Sequence, residues 1–325
     1  MPCIELVASG GTIASRSGAA GRQATVRADE LLASVGTIPP GVALRTRDVA
    51  TKGSYAFGTA DLLTLAREVH RGLAAGDVDG IVLTHGTDAM EETAFLLDLV
   101  HDDPRPVVLT GAQRPFDDAA PDGPANLADA LAVAADPAAR DRGVLLAFDG
   151  FVFPARGVRK SDTLSGHAFA APGRGPVFRV ADGRPIPVAR PHRAAPLPLD
   201  LDRADLPRVD VVSAYPGADG VHVRASRAVG AEGLVVAALG VGNAGPAMVE
   251  AVAEAVAAGV PVLICSRVTA GPVAPLYAGG GADLERAGAV FADDLSPWQA
   301  RLLLAVALAV PGRDAAEIIR AWLAS

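Results

Sequence analysis

Two threonines stand beside glycines directly after apolar runs, in Ser9-Gly10-Gly11-Thr12 and in Thr84-His85-Gly86-Thr87-Asp88. A glycine pair lets the backbone approach a ligand closely and leaves the neighbouring hydroxyl at the end of the preceding element. A hydroxyl that acts as a nucleophile needs a base and a site for the oxyanion, and backbone N–H groups beside glycines can supply the second. Each segment also has a plain structural reading: Thr12 caps its own turn, and Asp88 with Glu91 three residues later makes a capping box. Two such threonines, one of them next to a carboxylate, form a polar cluster that packing alone does not require. Lys160, in the segment Arg156-Gly157-Val158-Arg159-Lys160-Ser161-Asp162-Thr163, is the third candidate. A loop lysine is ordinarily solvated, but beside Thr87 and Asp88 in a desolvated pocket it could take part in proton transfer.

Positioning these residues falls to short runs rich in Val, Ile and Leu at 4–9, 80–86, 106–111 and 143–148, which read as strands buried on both faces. Between them, 61–76, 90–100 and 126–136 carry apolar residues at helical spacing; Leu62, Leu65, Ala66, Val69 and Leu73 share one face. Alternating strands and helices imply right-handed crossovers and a mostly parallel sheet. Prolines at 185, 187, 191, 196, 198 and 207 then interrupt the pattern, as an extended connection does. The alternation resumes at 209–215, 233–239, 248–259, 260–266 and 298–310. The expectation is a two-domain α/β protein, with a larger N-terminal domain at 1–185, a linker at 186–208 and a smaller C-terminal domain at 209–325. In open α/β sheets ligands settle beyond the carboxyl ends of the strands, where Thr12 and Thr87 stand.

The 325 residues are half hydrophobic (50%), which is enough for two well-buried cores, and 29 Lys+Arg against 37 Asp+Glu leave a net charge of −8. An acidic chain with no basic stripe argues against nucleic acid and anionic membrane as partners. The start lacks a signal-peptide pattern and no apolar run of about 18 residues occurs, so a cytoplasmic protein is expected. Cys3 and Cys265 lie in apolar runs without a C-x-x-C pair and read as two buried, reduced thiols. The six histidines (70, 85, 101, 167, 192 and 222) show no ligand spacing, so no metal is expected; His70 and His101 read as surface positions on or near helices. Gly240-Val241-Gly242-Asn243-Ala244-Gly245 fits a dinucleotide fingerprint. The acid expected at the end of the next strand is missing, however, and the bland reading is a tight strand-to-helix turn. Residues 15–25, rich in Gly, Ala and Ser, read as a mobile lid that is poorly ordered without ligand.

The segments ASGGTIAS (8–15) and VLTHGTDAMEETAFLLDL (82–99) resemble the two signatures of the bacterial-type L-asparaginase and glutaminase family. TGAQRP (110–115), DGPANL (122–127), the Lys160 loop, Tyr215-Pro216-Gly217, GVGN (240–243) and SPWQARLLL (296–304) follow in that family's order, so the likeness spans nearly the whole chain. The resemblance implies a cofactor-free hydrolase that converts L-asparagine to L-aspartate and ammonia. By the same likeness Thr12 is the nucleophile of a covalent acyl-enzyme, and Thr87, Asp88 and Lys160 form a second catalytic cluster that serves the water. Asp88 would also hold the substrate's α-ammonium, Ser54 its α-carboxylate and the backbone around Ala112 its amide end. Homo-oligomers, a tetramer built as a dimer of dimers or a dimer, are implied as well.

Three positions depart from the family's pattern. The loop after the first signature has no tyrosine, and Ala24 or its neighbour takes that place. Tyr55 follows Ser54 where many members have Gln. Gly281 fits the register of an acid that some members supply from a partner subunit, with Asp283 the nearest carboxylate. These changes surround the α-amino and α-carboxyl end of the substrate. They keep open hydrolysis of another amide, such as glutamine or an N-blocked asparagine, and a binding protein without turnover.

Overall fold

In chain order, β1 (Cys3–Gly10) leads through a 3-10 turn at Thr12–Ala14 into a hairpin of β2 (Ser15–Gly18) and β3 (Gly21–Ala24). Next come α1 (Ala28–Ala33), β4 (Ala43–Lys52), a second 3-10 turn at Ser54–Ala56, α2 (Thr59–Ala74), β5 (Gly80–Thr84) and α3 (Met90–Val100). They are followed by β6 (Val107–Thr110), α4 (Gly123–Ala135), β7 (Val144–Phe148), β8 (Phe151–Pro154), β9 (Arg159–Lys160), β10 (Phe169–Ala170), β11 (Phe178–Ala181) and β12 (Arg184–Pro187). The structure, a computed structural model, describes residues 1–190 and 192–325. Contacts divide it into two units, Met1–Arg193 and Ala194–Ser325.

The first unit is built on an eight-stranded sheet in the order β12-β11-β8-β7-β6-β5-β1-β4. The five strands from β7 to β4 are parallel, and β8, β11 and β12 continue antiparallel. Strands β5, β6 and β7 are buried along their whole length, as expected of parallel strands covered on both faces. On one face Ile4, Leu6, Val82, Val108 and Leu145 pack with Leu31 of α1 and with Leu127, Ala130 and Leu131 of α4. Helices α2 and α3 pack on each other and against β5, β6 and β7. The chain runs from β1 to β4 on one side and then crosses to β5 on the other, which makes the carboxyl end of β1 a topological switch point where ligands bind. Thr12 follows β1, Ser54 follows β4, Thr87 follows β5 and Ala112 follows β6.

The second unit carries β13 (Val209–Ser213), α5 (Val221–Ala228), β14 (Gly233–Ala238), α6 (Pro246–Ala257), β15 (Val262–Ser266), α7 (Gly281–Arg286), β16 (Val290–Phe291), α8 (Pro297–Ala309) and α9 (Ala315–Ala324). Its four strands are all parallel, in sequence order. One face buries Val212, Val236 and Ile264 with Val223, Met248 and Val252, while α8 packs against β13, β14 and β15. In the expected connection at 186–208, Ile186 and Pro187 end β12, and Ala194, Leu197 and Leu206 are buried. Pro191 of that stretch lies outside the described residues.

Several local expectations need correction. Both cysteines are free, but only Cys265 is buried; Cys3 opens β1 and is partly exposed. His101 is buried rather than at the surface, and its Nε2–H donates to the Arg105 carbonyl at 2.9 Å. Asp88 does not cap α3, whose N-cap is Ala89. Residues 15–24 of the expected lid form a hairpin paired from Ser15↔Ala24 to Gly18↔Gly21. It is tied down where Phe116 N donates to Ser15 O (2.8 Å) and Ser17 N to Asp117 Oδ2 (2.8 Å). Among the described residues no helix is long and apolar enough to cross a membrane.

Candidate active site

The two threonine-bearing turns touch through their glycines. Gly11 has φ +83°, and a Cβ added there would lie 2.4 Å from both the Cα and the N of Gly86. Contact of backbone against backbone leaves nothing to yield, so residue 11 has to be glycine on both counts. Gly11 N also donates to Lys52 O at 3.1 Å, which docks the end of β4 onto the same point. A Cβ on Gly86 would in turn meet Ser54 Oγ at 2.5 Å. The segments after β1, β4 and β5 therefore meet at one place although they lie far apart in the chain.

Above them opens a cavity of about 510 Å³. It is lined by Thr12, Ser54, Thr87 and Asp88 with Gly11 and Gly86, by the exposed Tyr55, and by Arg22, Gln23 and Ala24 of the hairpin. Ser54 and Thr87 are buried at 3% and 4% exposure, so their hydroxyls are fixed by packing. Ser54 Oγ accepts from Ala89 N at 3.3 Å. The Thr12 hydroxyl carries no hydrogen bond among the described residues, which leaves its lone pairs free for a ligand.

Lys160 reaches the cluster from β9. Its ammonium donates to Thr87 Oγ1 at 2.8 Å and to Asp88 Oδ1 at 2.7 Å, with the lysine side chain 17% exposed and the aspartate 55%. The side chains of Thr87, Asp88 and Lys160 thus meet, with Thr87 and Asp88 lining the cavity and Lys160 behind them. Ala112 is buried in the turn after β6 and is not part of the cavity wall. That turn is shaped by Asp122, whose carboxylate accepts from Gln113 N (2.9 Å) and Arg114 N (2.8 Å), and by Asn126, which donates to Gly111 O (3.0 Å). Gln113 reaches back, with Oε1 3.5 Å from Thr87 Oγ1 and Nε2 donating to Ser165 O at 3.0 Å.

His85, inside the second signature, faces away from the chemistry. It is fully buried between Ser9 Oγ (2.6 Å from Nδ1) and Thr93 Oγ1 (3.0 Å from Nε2), with Phe57 edge-on at 4.8 Å. Desolvation lowers it to about 3, so the ring is neutral, with one nitrogen donating and the other accepting. Sequence reasoning passed over Ser9, Thr93, Gln113, Asp122 and Asn126, because hydrogen-bonding roles across the fold leave no spacing signal. It also took Glu91 for a capping residue, whereas its carboxylate accepts from the Lys160 backbone N–H.

In the second unit the Gly240–Gly245 turn is held by a bridge between Leu239 and Asn243, and Ser266 Oγ donates to Gly240 O at 2.6 Å. Gly242 has φ +112° and packs on the Phe291 ring. Asn243 Oδ1 accepts from Gly281 N at 3.0 Å. Asp283 accepts from Gly279 N at 2.9 Å and pairs with Arg286. The glycines there serve a tight, cross-linked turn.

The glycine-flanked threonines, the serine and the lysine–aspartate pair lie within a chain that resembles known proteins over nearly its whole length. Residues 3–192 match the family model "Asparaginase, N-terminal", and residues 208–322 match "Glutaminase/Asparaginase C-terminal domain". The chain belongs to the bacterial-type asparaginase/glutaminase family. Over 314 residues it is 40% identical to a probable L-asparaginase of Deinococcus radiodurans, covering 95% of this chain and 93% of that one. It is 32% identical over 315 residues to L-asparaginase 2 of Escherichia coli, covering 95% and 89%. The crystal structure of a probable cytoplasmic L-asparaginase from Campylobacter jejuni superposes with a TM-score of 0.90 at 33% identity, covering 99% of each chain. The asparaginase likeness thus extends over both units, each with the α/β architecture expected.

Proposed function

We propose that this protein is an amidohydrolase that converts L-asparagine to L-aspartate and ammonia through an acyl-threonine at Thr12. The observation that carries the reading is the Lys160 ammonium, held on both Thr87 and Asp88 at the edge of a cavity into which the unengaged Thr12 hydroxyl opens. Thr12 Oγ1 attacks the amide carbon, its proton passes to the departing nitrogen, and ammonia leaves. Backbone N–H groups beside the glycines meet the charge that develops on the carbonyl oxygen. Water, oriented by Thr87 with Lys160 and Asp88, then cleaves the ester and returns the proton to Thr12. Ser54 binds the α-carboxylate and Asp88 the α-ammonium, so the amide is held in attack range. No cofactor enters this scheme.

A second substrate is supported by a specific finding: a relative from Pseudomonas fluorescens, 32% identical over 325 residues, is a glutaminase-asparaginase. The test is ammonia release from L-asparagine, L-glutamine and N-acetyl-asparagine by wild type and Thr12→Ala. Release from asparagine that disappears in Thr12→Ala is expected. Release from glutamine alone would move the substrate without moving the chemistry, and tight binding without release from any of the three would make the protein a binder. The reading extends to a cytoplasmic homo-oligomer, a dimer or a tetramer of paired dimers, with 186–208 joining the domains. Light scattering after gel filtration tests the subunit count, and cell fractionation tests the compartment.

A further inference from the structure

Glu91 is the second residue of α3, a helix buried almost all round, and is only 7% exposed. A carboxylate loses its hydration at such a position, which an apolar side chain would fill without that cost. Its placement therefore calls for a partner, and the partner is the backbone of the lysine in the site: Lys160 N–H donates to Glu91 Oε2 at 2.5 Å. Strand β9 is two residues long and is held on its other side by β10, in the register Phe169↔Lys160. Glu91 follows Thr87 by four residues and Asp88 by three. The contacts close a ring, from Thr87 and Asp88 through the first turn of α3 to Glu91, across to the Lys160 backbone, and along that side chain back to Thr87 and Asp88.

We infer that Glu91 is a positioning residue for the amide hydrolysis proposed above, anchoring β9 so that the Lys160 ammonium stays on Thr87 and Asp88. A hydrogen bond to a charged acceptor is roughly twice as strong as one to a neutral acceptor, so the anchor is tightest when the carboxyl is ionised. The charges acting on Glu91 are Arg159 and Lys160 from β9 and Glu92 from its own helix. Of the elements packed on α3, β6 and β7 carry no ionisable side chain, and the charged residues of α2 (Asp61, Arg67, Glu68, His70 and Arg71) are not among the groups that shift Glu91. Burial pushes the carboxyl up to about 7, against the Lys160 N–H bond, which pulls it down. The anchor therefore loosens as pH falls through neutrality.

The inference rests on the asparaginase reading, and two independent readouts separate their failures. Amide hydrogen exchange at Lys160 needs no substrate: protection is expected in wild type and Glu91→Gln, whose side-chain oxygen still accepts, and is lost in Glu91→Ala. For wild type releasing ammonia from L-asparagine, Glu91→Ala should lower kcat about 10- to 100-fold with KM changed less than about threefold. Glu91→Gln, neutral like the protonated glutamate, should hold kcat near the level that wild type falls to at pH 6, well above Glu91→Ala, and so flatten the decline of activity between pH 8 and 6. An unchanged Lys160 exchange rate in Glu91→Ala would overturn the inference whether or not asparagine is the substrate. So would a Glu91→Gln protein that folds yet is as slow as Glu91→Ala, or that keeps the wild-type pH limb. Should Glu91→Ala fail to fold, the near-isosteric Glu91→Gln and its pH profile still decide the matter.

Discussion

At Lys160, stability and activity come apart. Its ion pair with Asp88 is more than half open to water on the aspartate side, and exposed pairs of that kind contribute about 1 kcal/mol or less. Lys160→Met is therefore expected to leave the urea midpoint nearly unchanged while lowering kcat about 10²- to 10⁴-fold, the range assigned to a positioned proton-transfer group. A large loss of stability with activity retained would reverse the assignment. Gly11→Ala should lose activity too, but together with stability. Its φ of +83° and a Cβ 2.4 Å from the Gly86 backbone force the two signature turns apart, at a cost of about 1–3 kcal/mol or more and with activity lost. A thermal melt beside an ammonia assay distinguishes the two variants.

Among the buried ionisable groups of helix α3 and the turn before it, Glu91 and His85 respond to pH in opposite senses. Glu91 is raised to about 7 by desolvation, above the ordinary value of 4.5, so its protonated form is favoured in the fold. Its contribution is fully present below about 4.5 and is lost as pH rises towards 7. Glu91→Gln should therefore gain up to about 3 kcal/mol over wild type at pH 8 and nothing at pH 4, read from urea unfolding. His85 is lowered to about 3, below its ordinary 6.5, so its contribution is present above 6.5 and is lost as pH falls towards 3. The hairpin β2–β3 offers a prediction of another kind: trypsin should cut after the exposed Arg22, and more slowly once L-aspartate fills the cavity that Arg22 lines. Equal rates with and without L-aspartate would separate the hairpin from ligand binding. Strands buried on both faces, such as β5 and β6, were legible as continuous apolar runs. Strand β4 was not, because Ala43–Lys52 is an edge strand with half-exposed polar residues and no clean alternation. For that reason Ser54, which follows it, came only from the family resemblance. Thr12, Thr87 and Asp88 were legible because glycines flank them at strand ends. The contact of Lys160 with Thr87 and Asp88, more than 70 residues distant, depends on β9 and carries no local signal. Glu91 was misread for a similar reason, since its spacing from Asp88 suits a cap while its partner lies on another strand.

Two α/β units, one with its switch point at the end of β1 and the other with a cross-linked glycine turn, make up the described chain. Everything that the hydrolysis scheme asks of Thr12, Ser54, Thr87, Asp88 and Lys160 lies in the first unit. The homo-oligomer is tested by solution mass: a mass above that of one chain is expected, and a strictly monomeric protein with full activity would remove the oligomer from the functional picture. Covalent chemistry at Thr12 is tested most directly by rapid acid quench of the enzyme turning over L-asparagine, followed by peptide mass spectrometry. An aspartyl ester on the peptide containing Thr12, absent from Thr12→Ala along with ammonia release, is the predicted result. Undiminished ammonia release by Thr12→Ala, with no adduct at that position in wild type, would contradict it.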